Sequence, residues 1–160
     1  MVIRFLSIIS VSLLVCSTVL AQGATFPFAS IVSNPDLPLE VLAKNMQVNQ
    51  ETGETVFTDE VVISQGEIKL QAPTVTVTYD ESGSELELLK ATGGVILESP
   101  ENSAEANTAD YTIKDGLIVM TGDVFLLQGK DRINAERMTV NLATGTAIME
   151  GRVRAVLGGE

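Results

Sequence analysis

Two pairs of neighbouring carboxylates, Glu85 with Glu87 and Asp59 with Glu60, are the residues whose types and spacing could carry acid–base or metal chemistry. On a strand, residues 85 and 87 share a face and flank Leu86 on the other, which is also how a solvated strand surface looks. The spacing alone therefore marks no site. Histidine is absent from the chain, which removes the commonest general base, the usual zinc and copper ligand and the proton switch that works near neutral pH. Gly93 and Gly94 are followed by no helix N-terminus and carry no Lys or Ser/Thr motif, so they build no phosphate cradle. Serine and threonine are frequent, but without histidine or a Ser-x-x-Lys arrangement nothing marks a nucleophile. The Gly-Gly-x-Gly-x-Asp repeats of calcium-binding β proteins are missing as well. The expectation is a non-enzymatic protein with no catalytic residue, metal ligand or cofactor.

Two features of the chain's start and charge narrow the class further. Arg4 is the only early charge, an apolar stretch runs from Phe5 to about Val15, and small residues lead to Ala21. That pattern predicts a cleavable secretory signal over residues 1–21. Cys16 lies inside it, so the exported product holds no thiol or disulfide, and stability must come from sheet pairing and burial. The whole chain has a net charge of −11; losing Arg4 makes it about −12, which disfavours nucleic acid as a partner because phosphate binding needs clustered Lys and Arg. Residues 22–38 contain Pro27, Pro35 and Pro38 and read as an N-terminal arm, and residues 158–160 as a tail. One domain, 39–157, remains between them.

That domain reads as β throughout. Glycines punctuate segments of strand length, and the pair Asp115 and Gly116 is the strongest hairpin signal. Thr58–Val77 aligns without a gap on Thr121–Val140, with identity at Thr58/Thr121, Val61/Val124, Gln65/Gln128, Gly66/Gly129, Ala72/Ala135, Thr76/Thr139 and Val77/Val140. One supersecondary unit is thus used more than once. In the first copy the apolar residues Ile68, Leu70 and Ala72 lie on even positions and Val75, Val77 and Tyr79 on odd ones; Ile133 and Ala135 against Met138, Val140 and Leu142 repeat the switch. A change of parity without a loop predicts a bulge or corner, at Pro73-Thr74 and at Glu136-Arg137. Repeated strand, corner, strand units predict an all-β fold, a two-sheet sandwich or flattened jelly roll whose first and last strands need not meet.

The inward-facing candidates are Ile63, Ile68, Leu70, Val75, Val77, Leu86, Leu88, Val95, Leu97, Val119, Val124, Leu126, Ile133, Met138, Val140 and Ile148. They can pack on one another as a dry core, or line a groove for an apolar ligand, where burial of acyl chain is worth about 0.8 kcal/mol per methylene. The residues alone leave both readings open.

A resemblance adds to this. Phe57, Asp59, Glu60, Val61, Ile63, Gln65 and Gly66, then Val75, Val77 and Tyr79, then Ala91 with Gly93, Gly94 and Val95, form the first half of a pattern. Ala104, Ala106, Ala109 and Tyr111, then Gly122, Asp123, Val124, Leu126 and Gln128, and finally Leu142, Thr144 and Gly145 complete it. In order and spacing it resembles the OstA-like domain of the LptA family of periplasmic lipopolysaccharide-transport proteins. The likeness covers about residues 40–156, with Asp59 standing where the family more often has glycine. It implies an all-β fold, a twisted, open antiparallel β-jelly roll, and a periplasmic carrier whose apolar interior, lined by the candidates above, holds lipopolysaccharide acyl chains. It also implies partners: copies of itself joined head to tail, and similar β domains on inner-membrane and outer-membrane components, in a bridge that moves the lipid outward. The terminal strands near Leu39 to Lys44 and Arg152 to Val156 are the expected docking edges. Lys90, Lys114, Lys130 and Arg132 are scattered and read as solvated.

Overall fold

The computed structural model describes residues 24–27 and 37–158. The expected signal peptide 1–21, with Cys16, lies outside the described residues, as does most of the expected arm and the end of the tail. Every described element is a strand: β1 Ala24–Pro27, β2 Glu40–Leu42, β3 Asn45–Val48, β4 Thr55–Gln65, β5 Ile68–Tyr79, β6 Leu86–Glu98, β7 Asn102–Thr112, β8 Leu117–Gln128, β9 Asp131–Asn141, β10 Thr146–Glu150 and β11 Arg154–Val156. They form one antiparallel sheet in the order β1-β10-β9-β8-β7-β6-β5-β4-β2, with β3 also on β4 and β11 also on β9. Within the arm 22–38, expected as a tether, Ala24–Pro27 instead pairs with β10, Ala24 opposite Met149 and Pro27 opposite Thr146. Proline is tolerated there because an edge strand leaves one row of backbone groups outside the ladder.

Midway along each long strand the ladder breaks. Thr58 pairs with Thr74 and Val61 with Ala72, so Asp59 and Glu60 oppose Pro73 alone. In the same way Gly93 and Gly94 oppose Asn107, and Gly122 and Asp123 oppose Glu136. Each doubled pair adopts positive φ: 65° and 55°, 95° and 94°, 85° and 49°. Two extra residues leave side-chain parity unchanged in β4, β6 and β8, whereas one extra residue reverses it in β5, β7 and β9. The reversals expected in β5 and β9 are present. A third occurs in β7, where buried Ala104 and Ala106 give way across Asn107 to buried Ala109 and Tyr111.

These bulges line up across the sheet as a crease and fold it into two facing layers. One layer holds β1, β3, β10 and the halves 55–58, 74–79, 86–92, 108–112, 117–121 and 137–141. The other holds β2, β11 and the halves 61–65, 68–72, 95–98, 102–106, 124–128 and 131–135. Glycine is required where the crease is tight: a Cβ on Gly122 would lie 2.6 Å from the Asn107 side chain, and one on Gly151 would lie 2.5 Å from that of Glu136. Asp59 takes the equivalent place on β4 without that crowding. It is exposed, and it faces the gap between β2 and β3, where Asn45 Nδ2 donates to its Oδ2 at 2.7 Å. Its place at the edge of the sheet explains how an aspartate can stand where the resemblance led one to expect glycine.

Candidate functional site

The inner faces of the two layers bound a single apolar space. Ile63, Ile68, Leu70, Val75, Val77, Val95, Leu97, Val124, Leu126, Ile133, Met138 and Val140 all point into it and are buried. Leu86 packs half-buried against its margin, and Leu88 is half-buried. At this end of β6 a bulge pairs Tyr79 with Leu86 and Thr78 with Leu88, and the next residue, Leu89, is the one buried. Val119 and Ile148 do not face inward. Their neighbours Ile118, Met120, Ala147 and Met149 do, and Ile148 stays 39% exposed on the outer face of β10. Runs such as Leu117-Ile118-Val119-Met120 have no polar partner at every second place to show which side is inside. Tyr111 and Gln65, which the residues did not single out as lining, bring polar groups into the space, and Thr55 and Asn102 are buried polar residues as well.

The interior is closely packed. What space remains near its mouth has a volume of about 20 Å³ and is bounded by Ile63, Gln65, Ile68 and Leu70 of one layer and Leu89, Tyr111, Ile118 and Leu142 of the other. That is room for about one water. Across this gap the Tyr111 hydroxyl donates to Gln65 Oε1 at 2.6 Å, while Gln65 Nε2 donates to the Leu37 carbonyl at 3.1 Å. Burial pushes the Tyr111 phenol above its ordinary value of 10, because charge is disfavoured away from water.

The ends of the sheet have the opposite character. β3 and β11 are exposed along their whole length, and β2 is exposed at two of its three positions. None of the three has a strand on its outer edge among the described residues. Exposed apolar side chains cluster there: Leu42, Met46 and Val48 at one end, Val153, Val156 and Leu157 at the other. The carboxylates considered for chemistry form no site. Glu85 lies in the β5–β6 loop, Glu87 is exposed on β6, and Asp59 and Glu60 are exposed on the crease, where Glu60 pairs with Lys44. Among the described residues no cluster of three metal-ligating side chains occurs, and no helix is long and apolar enough to cross a membrane. Lys90, Lys114, Lys130 and Arg132 are exposed.

A creased open sheet with an apolar inner face is the fold of a known family, and the family model described as LptA/(LptD N-terminal domain) LPS transport protein matches residues 40–146. The chain belongs to that family. Its members are lipopolysaccharide-transport proteins rather than enzymes. Among curated relatives, the lipopolysaccharide export system protein LptA of Escherichia coli (strain K12) is 23% identical over 137 residues, covering 82% of this chain and 73% of that protein. The LptA of Haemophilus influenzae (strain Rd) is 26% identical over 137 residues, covering 81% and 78%. The crystal structure of LptH from Pseudomonas aeruginosa, described as the LptA-homologous periplasmic component of the lipopolysaccharide transport device, superposes with a TM-score of 0.69 at 19% identity. The match covers 79% of this chain and 99% of LptH. The all-β jelly-roll fold is thereby that of LptA and LptH.

Proposed function

We propose that this LptA-family protein is a periplasmic lipopolysaccharide carrier, exported by the leader 1–21, whose domain 39–157 holds acyl chains between its two layers. One observation carries the reading: a sheet folded on itself with an almost wholly apolar inner face is left unjoined at both ends. Because the interior is filled by its own side chains, an acyl chain enters only if the layers part along the side opposite the crease. Parting exchanges side-chain contacts for contacts with the lipid, so the lining stays dry. The net gain is the acyl surface taken from water, about 0.8 kcal/mol per methylene. Such binding is similar from site to site, as passage along a bridge demands, and it needs no bond-making residue. The exposed edges of β2, β3 and β11 then serve for strand addition, joining copies end to end and meeting similar β domains on inner-membrane and outer-membrane components.

The close packing favours a second reading, an exported structural or interaction protein with a dry core. Purification from a lipopolysaccharide-producing host, organic extraction and mass spectrometry separate the two. The carrier reading expects lipopolysaccharide at a fixed ratio to protein, or stoichiometric uptake when it is added. Protein that neither carries nor takes up the lipid has the dry core.

A further inference from the structure

β1 and β2 follow one another in the sequence but lie at opposite edges of the sheet, with β10, β9, β8, β7, β6, β5 and β4 in order between them. At about 4.8 Å per strand step, β1 and β2 are about 38 Å apart along the sheet. The chain from Pro27 to Leu37 reaches at most about 36 Å at full extension. Within one copy that connection has no slack, and a short hinge under tension invites exchange of the strand it holds. The edges that would join copies are also short. β2 and β11 have three residues each, whereas β1 adds four backbone pairs to β10, from Ala24 opposite Met149 to Pro27 opposite Thr146. Where the β2 and β3 edge of one copy meets the β10 and β11 edge of another, the first copy's chain enters β2 only one or two strand spacings from the second copy's β10. That is about 5–10 Å along the sheet and about 10 Å between layers, well inside the reach of the same connection.

We infer that β1 is exchanged between copies: in the assembly Ala24–Pro27 pairs with β10 of the adjoining copy, in the register it has on its own, and straps the end-to-end joint. This rests on the end-joining part of the carrier reading and goes beyond it, since edge pairing of β2, β3 and β11 alone carries no element of one copy into the other's ladder. In an isolated copy the same strand covers its own β10, so the edge is occupied in both states and exchange gains the slack of the connection.

The test puts one cysteine on each side of the pairing, Thr25→Cys and Ile148→Cys, which stand opposite each other on β1 and β10. Opposed residues of an antiparallel pair lie within the span of a disulfide, and the exported protein, freed of the leader that holds Cys16, has no other thiol. The two single variants, one of them isotope-labelled, are purified from the periplasm, mixed dilute, concentrated and oxidised. Exchange gives a disulfide-linked dimer whose crosslinked peptide joins residue 25 of one variant to residue 148 of the other, and the double variant gives a ladder of dimer, trimer and higher species on a non-reducing gel. A 25–148 disulfide closed within each double-variant chain, with no crosslink between the single variants, in samples whose light scattering still grows with concentration, overturns the exchange and leaves end-to-end joining intact. The same closed disulfide in samples that never grow removes both. Absence of a 25–148 disulfide of either kind overturns the exchange as well. The neighbouring pair Pro27→Cys and Thr146→Cys gives the same readout if the first variants do not fold.

Discussion

Asp80 closes the loop between β5 and β6. Its Oδ1 accepts from the backbone N–H groups of Ser84 and Glu85 at 2.9 and 3.1 Å, and its Oδ2 from Ser82 Oγ at 2.6 Å. These donors favour the ionised carboxylate, led by the Ser82 hydroxyl, and lower its pKa from 3.8 to about 2. The folded value lies below the unfolded one, so the loop's support from Asp80 is complete above about pH 4 and is lost as pH falls through about 2. An NMR titration of the Asp80 carboxyl should give a midpoint near 2, with the Ser84 and Glu85 amide shifts moving in step. A midpoint near 4 would show that the loop is open in solution. Asp80 and Gly83 are residue types that mark a loop, but the cap depends on which oxygen meets which N–H, and spacing along the chain does not show that. Side-chain facing divided in the same way. Ile68, Leu70, Val75 and Val77 were legible because polar residues alternate with them, whereas Val119 and Ile148 were placed on the wrong side because every neighbour is apolar.

At the scale of strands, the crease is the organising device, and its two halves differ in how plainly the sequence shows them. In β5 and β9 the single extra residue reverses the apolar parity, so the corner at Pro73 and at Glu136 could be read directly. In β4, β6 and β8 two extra residues restore the parity, and only the recurring doublets before Val61, Val95 and Val124 mark the place. In β7 the alanines flanking Asn107 are too small to announce which face they occupy. Positive φ makes the doublets costly for most residues, and crowding adds to this at Gly122. Gly94→Ala, which would meet nothing within 4 Å, should cost about 1 kcal/mol for the left-handed backbone alone. Gly122→Ala must also displace Asn107 and should cost about 2–3 kcal/mol. Urea denaturation of the two variants checks the order; equal losses would mean that Asn107 swings aside freely and that the crease is not tight.

The whole molecule presents a sealed middle and unfinished ends. The spans from Leu39 to Lys44 and from Arg152 to Val156, proposed as docking edges, contain the exposed strands β2 and β11. The pairing of β1 with β10 is not legible in the residues, since a four-residue strand ending in Pro27 carries no periodic signal. If the ends join copies through β-strand addition, charge on both edges should block it. The double variant Met46→Lys with Val156→Lys should remain monomeric in light scattering at concentrations where the wild type grows with concentration, and its melting temperature should hardly change because both side chains are exposed. Growth that persists in the double variant would move the joint elsewhere. The central claim is that lipid lies between the layers, and site-specific photocrosslinking in lipopolysaccharide-producing cells tests it most directly. Photoreactive residues at the buried positions Ile68, Val77, Val124 and Val140 should each form an adduct with lipopolysaccharide, while the outward positions Val119 and Ile148 should not. Adducts from Val119 and Ile148 with none from the four inward positions would contradict the account.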